Sequence, residues 1–277
     1  MKPAPFDYVR AGSLDEALAA LAEGGEDAKP IAGGQSLVPA LAMRLVRPTM
    51  LVDLNRAGLA DVSANGSLRV GATTRQAALG ADGRTHPLVR EALPFVGHFV
   101  TRNRGTVGGS IAHADGAAEL PLCLAALGGI VVVDGPGGRR EVSAERFFVT
   151  HFLTTLQVGE LVVETVWPLA VEGESSAFEE LALRTGDFAQ SMVAVVLRRE
   201  AGLVREARVA IGAVTDRPTR LHEVEELLAG SSGSDAAADA GSLAARLVDP
   251  ASTTHASARY LRELTGTLVA RAIGRAS

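Results

Sequence analysis

Ala32-Gly33-Gly34-Gln35-Ser36-Leu37 and, much further along, Thr106-Val107-Gly108-Gly109-Ser110 are the two stretches on which the reading of this chain turns. Each sets adjacent glycines beside an amide or hydroxyl side chain. Adjacent glycines let the backbone approach a ligand closely and expose successive N–H groups, an arrangement that binds anions. One such stretch is a common turn. Two of this composition, one reaching Ser36 and the other Ser110, read as halves of a cradle for a diphosphate, and so for a dinucleotide cofactor.

The rest of the composition narrows the classes. A chain of 277 residues, 47% hydrophobic, buries a substantial core and is long enough for two domains. Its net charge of −5 (27 basic against 32 acidic residues) argues against a nucleic-acid surface. Lys2 and Lys29 are the only lysines, and no Gly-Lys pair occurs. That excludes a phosphate-loop NTPase and leaves no good Schiff-base lysine for a pyridoxal-phosphate enzyme. The single cysteine, Cys123, lies among apolar residues and reads as a buried thiol. One cysteine makes no internal disulfide and ligates no iron–sulfur cluster. The opening Met1-Lys2-Pro3-Ala4-Pro5-Phe6-Asp7 lacks the apolar centre of a signal peptide, and no apolar run approaches the ~18 residues of a membrane span. A cytoplasmic protein is the expectation.

Along the chain, Ser13 and Glu16 form a capping box ahead of a helix carried by Leu14, Ala17, Leu18 and Leu21, which Gly24-Gly25 stop. The segment 29–32 is extended and leads into the first glycine stretch. Helices are expected over 38–45, 88–100, 120–127, 219–228 and 254–273, and strands over 50–54, 68–72, 130–134, 160–166, 177–183, 192–198 and 207–214. Residues 171–176 are polar and suit a domain boundary, and Gly230-Ser231-Ser232-Gly233-Ser234 suits a flexible linker. Strands and helices mix without strict alternation, giving an α+β class.

Other chemistries fit less well. Residues 105–110 miss the second glycine of a Gly-x-Gly-x-x-Gly dinucleotide fingerprint. His113, Asp115 and His151 invite a metal, but His-x-Asp spacing alone is a weak signal. Neither Ser36 nor Ser110 sits in Gly-x-Ser-x-Gly, so phosphate binding suits their hydroxyls better than nucleophilic attack. Arg102, Arg104 and Arg184 read equally as surface charges or as parts of a site.

Taken together, the first glycine stretch, the run Thr101 to Ser110 and the tail Ala114-Asp115-Gly116-Ala117-Ala118-Glu119-Leu120-Pro121 resemble the FAD-binding medium subunit of molybdenum hydroxylases. That family includes carbon monoxide dehydrogenase, the bacterial nicotine and quinoline dehydrogenases, and the flavin segment of xanthine dehydrogenase. The likeness runs nearly the whole length. It also takes in Phe6-Asp7-Tyr8, Leu51-Val52-Asp53-Leu54, Gly159-Glu160-Leu161 and Thr185-Gly186-Asp187-Phe188-Ala189.

The resemblance implies an α+β chain. A vanillyl-alcohol-oxidase-type FAD-binding domain, 1–172, would comprise two subdomains, about 1–55 and 56–172. A small α/β C-terminal domain, 173–277, would follow, with an antiparallel sheet and helices. It implies non-covalent FAD, since no histidine stands in an evident flavin-linking motif. By resemblance, Ala32, Gly33, Gly34, Gln35 and Ser36, with Thr106, Val107, Gly108, Gly109 and Ser110, hold the diphosphate, and Ile31 and Leu37 bind the cofactor beside them. Ala114, Asp115 and Glu119 complete the cofactor wall, Glu119 toward the sugar portion. Leu161 lines the adenine pocket, and Phe188 stands beside the flavin ring.

The chain departs from the family at Ser110 (often asparagine), Gly116 (proline), Glu119 (aspartate) and Phe188 (tyrosine). These changes bear on the ring's potential and on its electron acceptor. Activity is expected only with partners: a small subunit with 2Fe–2S clusters and a large subunit with the molybdenum cofactor, as a dimer of heterotrimers. The chain would be an oxidoreductase component, inactive alone on the organic substrate, with no nucleic-acid partner. The competing readings are a stand-alone FAD-dependent oxidoreductase, which needs its own substrate pocket and base, and a non-catalytic nucleotide-binding scaffold.

Overall fold

Ser13 caps the first helix as its spacing predicts: its hydroxyl accepts the Glu16 N–H at 3.2 Å. The Glu16 carboxylate reaches one residue beyond a capping box, to the N–H of Gly12 at 2.7 Å. The computed structural model describes residues 2–277; Met1, read with the N-terminal segment above, lies outside the described residues. Strand β1 (Asp7–Arg10), helix α1 (Leu14–Gly24), β2 (Ala28–Ile31), helix α2 (Leu37–Ala42) and β3 (Met50–Asp53) form the first unit. Its sheet is parallel, with β3 between β1 and β2. Helix α2 is shorter than the 38–45 its apolar residues suggest. Arg44 turns left-handed (φ 60°) and the Leu45 N–H closes back on the Ala40 carbonyl, a Schellman-type stop.

The second unit begins with a hairpin, β4 (Val62–Ala64) and β5 (Ser67–Gly71), turning at Asn65-Gly66. Four short helices follow: α3 (Gln76–Ala81), α4 (Pro87–Ala92), α5 (Phe99–Arg104) and α6 (Val107–His113). The single helix expected over 88–100 is therefore two, parted by a 3₁₀ turn carrying Pro94 and by Gly97 at φ 46°. The second glycine stretch is likewise not a loop, since Thr106 caps α6 and Val107 to Ser110 form its first turn.

Helix α7 (Glu119–Ala126) is apolar on nearly every side and buried on every side. Then come β6 (Ile130–Asp134), β7 (Arg140–Ser143), α8 (Ala144–Phe147), the small pair β8 (Phe148–Thr150) and β9 (Leu153–Thr154), and β10 (Leu161–Pro168). An antiparallel sheet runs β4-β5-β10-β6-β7. Val132, Leu161, Val163 and Val166 on one side of it join α1 and the first sheet in one core cluster. Val70, Val131, Val133 and Trp167 join α6 and α7 in another.

The remaining chain forms β11 (Glu174–Ala182), β12 (Ala189–Glu200), β13 (Leu203–Gly212) and β14 (Thr219–Arg220), an antiparallel sheet in that order. Helices α9 (His222–Leu228), α10 (Ala237–Leu247) and α11 (Ala258–Ala276) complete it. The helix expected over 219–228 is thus a two-residue strand followed by α9. The serine–glycine segment 230–234 is a hydrogen-bonded turn rather than a flexible linker: the Ser231 carbonyl accepts the Val204 N–H at 2.8 Å, and its hydroxyl donates to Leu228 O at 2.7 Å. No helix among the described residues is long and apolar enough to cross a membrane.

Candidate cofactor-binding site

The two glycine stretches meet. A Cβ placed on Gly33 would lie 2.5 Å from the carbonyl oxygen of Arg104 and 2.9 Å from Cα of Gly105. Only glycine lets the entry to the first stretch rest on the entry to the second. Around this contact opens a cleft of about 910 Å³, within the range of sites that enclose large cofactors.

The walls contain Ile31, Ala32, Gly33, Gly34, Gln35, Ser36 and Leu37 from the first stretch and Thr106, Gly108, Gly109 and Ser110 from the second. Asp115, Glu119, Leu161 and Phe188 line it as well. Val107 and Ala114 do not: both side chains are buried in the core, and Ala114 ends α6 in a left-handed turn.

The stretches differ in what they offer. The N–H groups of Gly33, Gly34, Gln35, Ser36 and Leu37 have no acceptor among the described residues. Gly34 at φ 72° turns the chain so that they follow one another into α2. The second stretch is already engaged. Val107 donates to Thr74 O and Gly108 to Ala72 O, both at 2.9 Å; Gly109 donates to the Thr106 hydroxyl at 3.2 Å and Ser110 to Thr106 O at 3.1 Å. It therefore presents a bare glycine surface at Gly109 and the Ser110 hydroxyl, not a row of free N–H groups. This division was invisible in the sequence, where both stretches carry the same residue types.

Glu119 starts α7, is 8% exposed and lines the cleft. Burial pushes its pKa up to about 7, with Asp115 adding to the rise and Arg102 opposing it. Glu180 on β11 has Oε2 buried without a partner among the described residues, and burial together with the Glu119 charge pushes it up to about 8. A carboxyl whose folded pKa is raised holds its proton longer in the folded state, so stability is lost as pH climbs from the unfolded value of 4.5 toward 7. In the flavin-free chain the stability advantage of Glu119→Gln over the wild type should therefore widen by roughly 2–3 kcal/mol between pH 5 and pH 8. Urea unfolding at the two pH values measures it; a constant difference would mean that Glu119 is well solvated.

Other cleft residues escaped the sequence reading. Gln76, at the start of α3, is buried, and its Oε1 has no partner among the described residues although it borders the cleft. The polar run Thr73-Thr74-Arg75-Gln76 just after a buried strand was the available signal. Val96, Gly97 and Phe152 contribute apolar wall from segments with no motif. His113 lies on the wall, its pKa lowered by burial, with the Phe152 ring 4.9 Å away. His151 is instead an acceptor for the Gly116 N–H at 3.4 Å. Arg102 is occupied with the carbonyls of Val96 and Gly97, both at 3.0 Å, and Arg275 of the last helix with Glu179, Glu91 and the Phe178 carbonyl. Cys123 is fully buried, with its pKa raised by burial.

The fold and the cleft, with its row of N–H groups unpaired among the described residues, are those of a dinucleotide-binding protein, and two sequence families make it a flavoprotein. The FAD binding domain in molybdopterin dehydrogenase matches residues 4–170, and the CO dehydrogenase flavoprotein C-terminal domain matches 176–276. The chain belongs to this family of FAD-binding molybdopterin dehydrogenase subunits. It is 41% identical to the 6-hydroxypseudooxynicotine dehydrogenase complex subunit alpha of Paenarthrobacter nicotinovorans, over 100% of this chain and 96% of that one. Quinoline 2-oxidoreductase of Pseudomonas putida 86 contains a chain that superposes with TM-score 0.95 at 37% identity, covering 100% of this chain and 98% of its own. Carbon monoxide dehydrogenase of Hydrogenophaga pseudoflava gives 0.96 at 34% identity, with 100% and 98% covered.

Proposed function

We propose that this chain is the FAD-carrying subunit of a three-part molybdenum hydroxylase. It would take electrons from the 2Fe–2S clusters of a small subunit, fed by a molybdenum-bearing large subunit, and deliver them to an external acceptor. The observation that carries the reading is the row of five unpaired N–H groups, Gly33 to Leu37, opening onto a cleft whose opposite face is bare glycine. FAD, when bound, supplies the exchange between one-electron and two-electron chemistry.

The chain's own residues bind and orient. The N–H row meets the diphosphate, and Gly109 and Ser110 close on it from the other side. Glu119 accepts hydrogen bonds from the sugar portion, Leu161 packs on the adenine, and Phe188, 73% exposed at the rim, covers the ring. Residues 1–172 hold the cofactor and 173–277 close the site beside Gly186 and Phe188; the last sheet has a core of its own behind it and shares the core of α7 in front. A dimer of heterotrimers belongs to the same proposal, whose support is that a relative is named as one subunit of a dehydrogenase complex.

Acid precipitation of the purified chain should release FAD and no FMN. The chain alone should leave its flavin oxidised in the presence of the pathway's organic substrate, and co-purification with the iron–sulfur and molybdenum subunits should restore substrate-dependent bleaching. Enzyme-like bleaching by the isolated chain would favour the stand-alone oxidoreductase instead.

A further inference from the structure

The two glycine stretches belong to different parts of the chain, which share an apolar core but very few polar ties. Among the described residues, one hydrogen bond involving a side chain crosses between residues 2–55 and everything beyond: Arg75 Nη2 to Asn55 Oδ1, at 2.6 Å. The C-terminal sheet, by contrast, is tied to the middle of the chain repeatedly, through His86 with Glu174, Glu91 with Phe178 and Arg208 with Leu127.

What that one crossing joins is specific. Asn55 Nδ2 donates to the carbonyl of Ala32, at 3.0 Å, immediately before Gly33. Arg75 Nη1 donates to the carbonyl of Arg104, at 2.5 Å, immediately before Gly105. The Arg104 carbonyl is the same atom on which Gly33 rests. Asp53 fixes Asn55 in turn, accepting its N–H at 2.9 Å and its Nδ2 at 2.6 Å, and is itself held by the Tyr8 hydroxyl. Asn55 and Arg75 stand outside the cleft wall.

We propose that Asn55 and Arg75 are positioning residues that set the distance between the two glycine stretches to the span of a diphosphate. This rests on the reading of the cleft as the FAD site. Arg75 acts through the Arg104 carbonyl and Asn55, not by touching the cofactor. Its planar guanidinium bridges two acceptors at once, which a lysine ammonium on a single flexible stem does not reproduce.

The test uses the full chain stripped of flavin, with ADP as a probe of the diphosphate region and riboflavin as a probe of the ring region, read by titration calorimetry. Arg75→Met and Asn55→Ala should each weaken ADP binding about ten- to a hundredfold, the range for a charge-assisted hydrogen bond. The double variant should be no weaker than either single one, because both break the same bridge. Riboflavin binding should be unchanged, and Arg75→Lys should not restore ADP binding. Parallel loss of riboflavin, multiplying losses in the double variant, or full rescue by lysine would each overturn the proposal; rescue would mean that only the charge matters. Should Arg75→Met fail to fold, Asn55→Ala, at an exposed position, carries the same comparison. A wild-type chain that takes up no FAD would remove the reading of the cleft itself, whereas wild-type binding with unaltered variants would remove only this inference.

Discussion

Gly109→Asp is expected to give a folded chain that holds no flavin. Gly109 is exposed on the cleft wall, facing the space assigned to the diphosphate, so the new carboxylate adds bulk and a like charge there. Two unit charges 4 Å apart repel by about 4 kcal/mol at the effective dielectric of a protein surface, close to a thousandfold in affinity. The fold loses much less. A Cβ at this position would lie 2.6 Å from the Thr106 hydroxyl, which must rotate away and give up its cap on α6, a cost of about 1 kcal/mol. Ser110→Ala, which removes one hydrogen bond without adding charge, should cost only ~1 kcal/mol of binding. Flavin absorbance per protein and a thermal melt separate the two effects. Full flavin content in the aspartate variant would mean that the diphosphate does not pass Gly109.

One residue earlier the outcome is the opposite in kind. Gly108→Val should destabilise the fold severely whether or not flavin is present. A Cβ on Gly108 would lie 2.6 Å from Cα and 2.8 Å from the carbonyl oxygen of Ala72, while the Gly108 N–H donates to that same oxygen at 2.9 Å. The obstacle is the Ala72 backbone with the Cβ fixed to it, so nothing can rotate aside, and α6 must leave the end of β5. We expect a loss of at least about 3 kcal/mol, the upper end of overpacking costs, from a total stability of order 5–15 kcal/mol. Soluble yield and the urea midpoint report it. A valine variant that melts within a degree or two of the wild type would show that the close approach of α6 to β5 is not needed.

Much of the site was legible because its signals are local. The extended run into Gly33 and the glycines themselves are short patterns that need no knowledge of distant chain, as is the Ser13 cap elsewhere in the fold. The use made of those glycines was not legible. Whether the N–H groups of Val107 and Gly108 are free depends on Thr74 and Ala72, which meet them only in the folded chain. Gln76 went unnoticed for the same reason, since its burial comes from the approach of residues 101–105.

Helix errors have physical causes as well. The apolar spacing from Leu88 to Val100 continues through Pro94 and Gly97, and periodicity outweighed the breakers. Helix α10 is built largely of alanine, with Leu243 and Leu247 as its only large apolar residues. It exists because Gly241 and Gly266 let it touch α11 backbone to backbone: a Cβ on Gly266 would lie 2.6 Å from Gly241 O, and one on Gly241 2.9 Å from the Ala270 Cβ.

The last sheet has consequences for how this chain can be inherited. Phe178, Met192, Ala194, Val196 and Ala210 on one of its faces pack in the same cluster as Leu120, Leu122 and Leu124 of α7, while Val193, Val195, Val209 and Ile211 on the other pack against the terminal helices. A seam drawn through the sequence near residue 172 is therefore not a seam in the packing. Recombination that exchanged the C-terminal portion for that of another lineage would set a foreign sheet face against α7, whose first residue, Glu119, lines the cleft. Substitutions on the inner face of that sheet and on α7 are thus constrained together by one shared core.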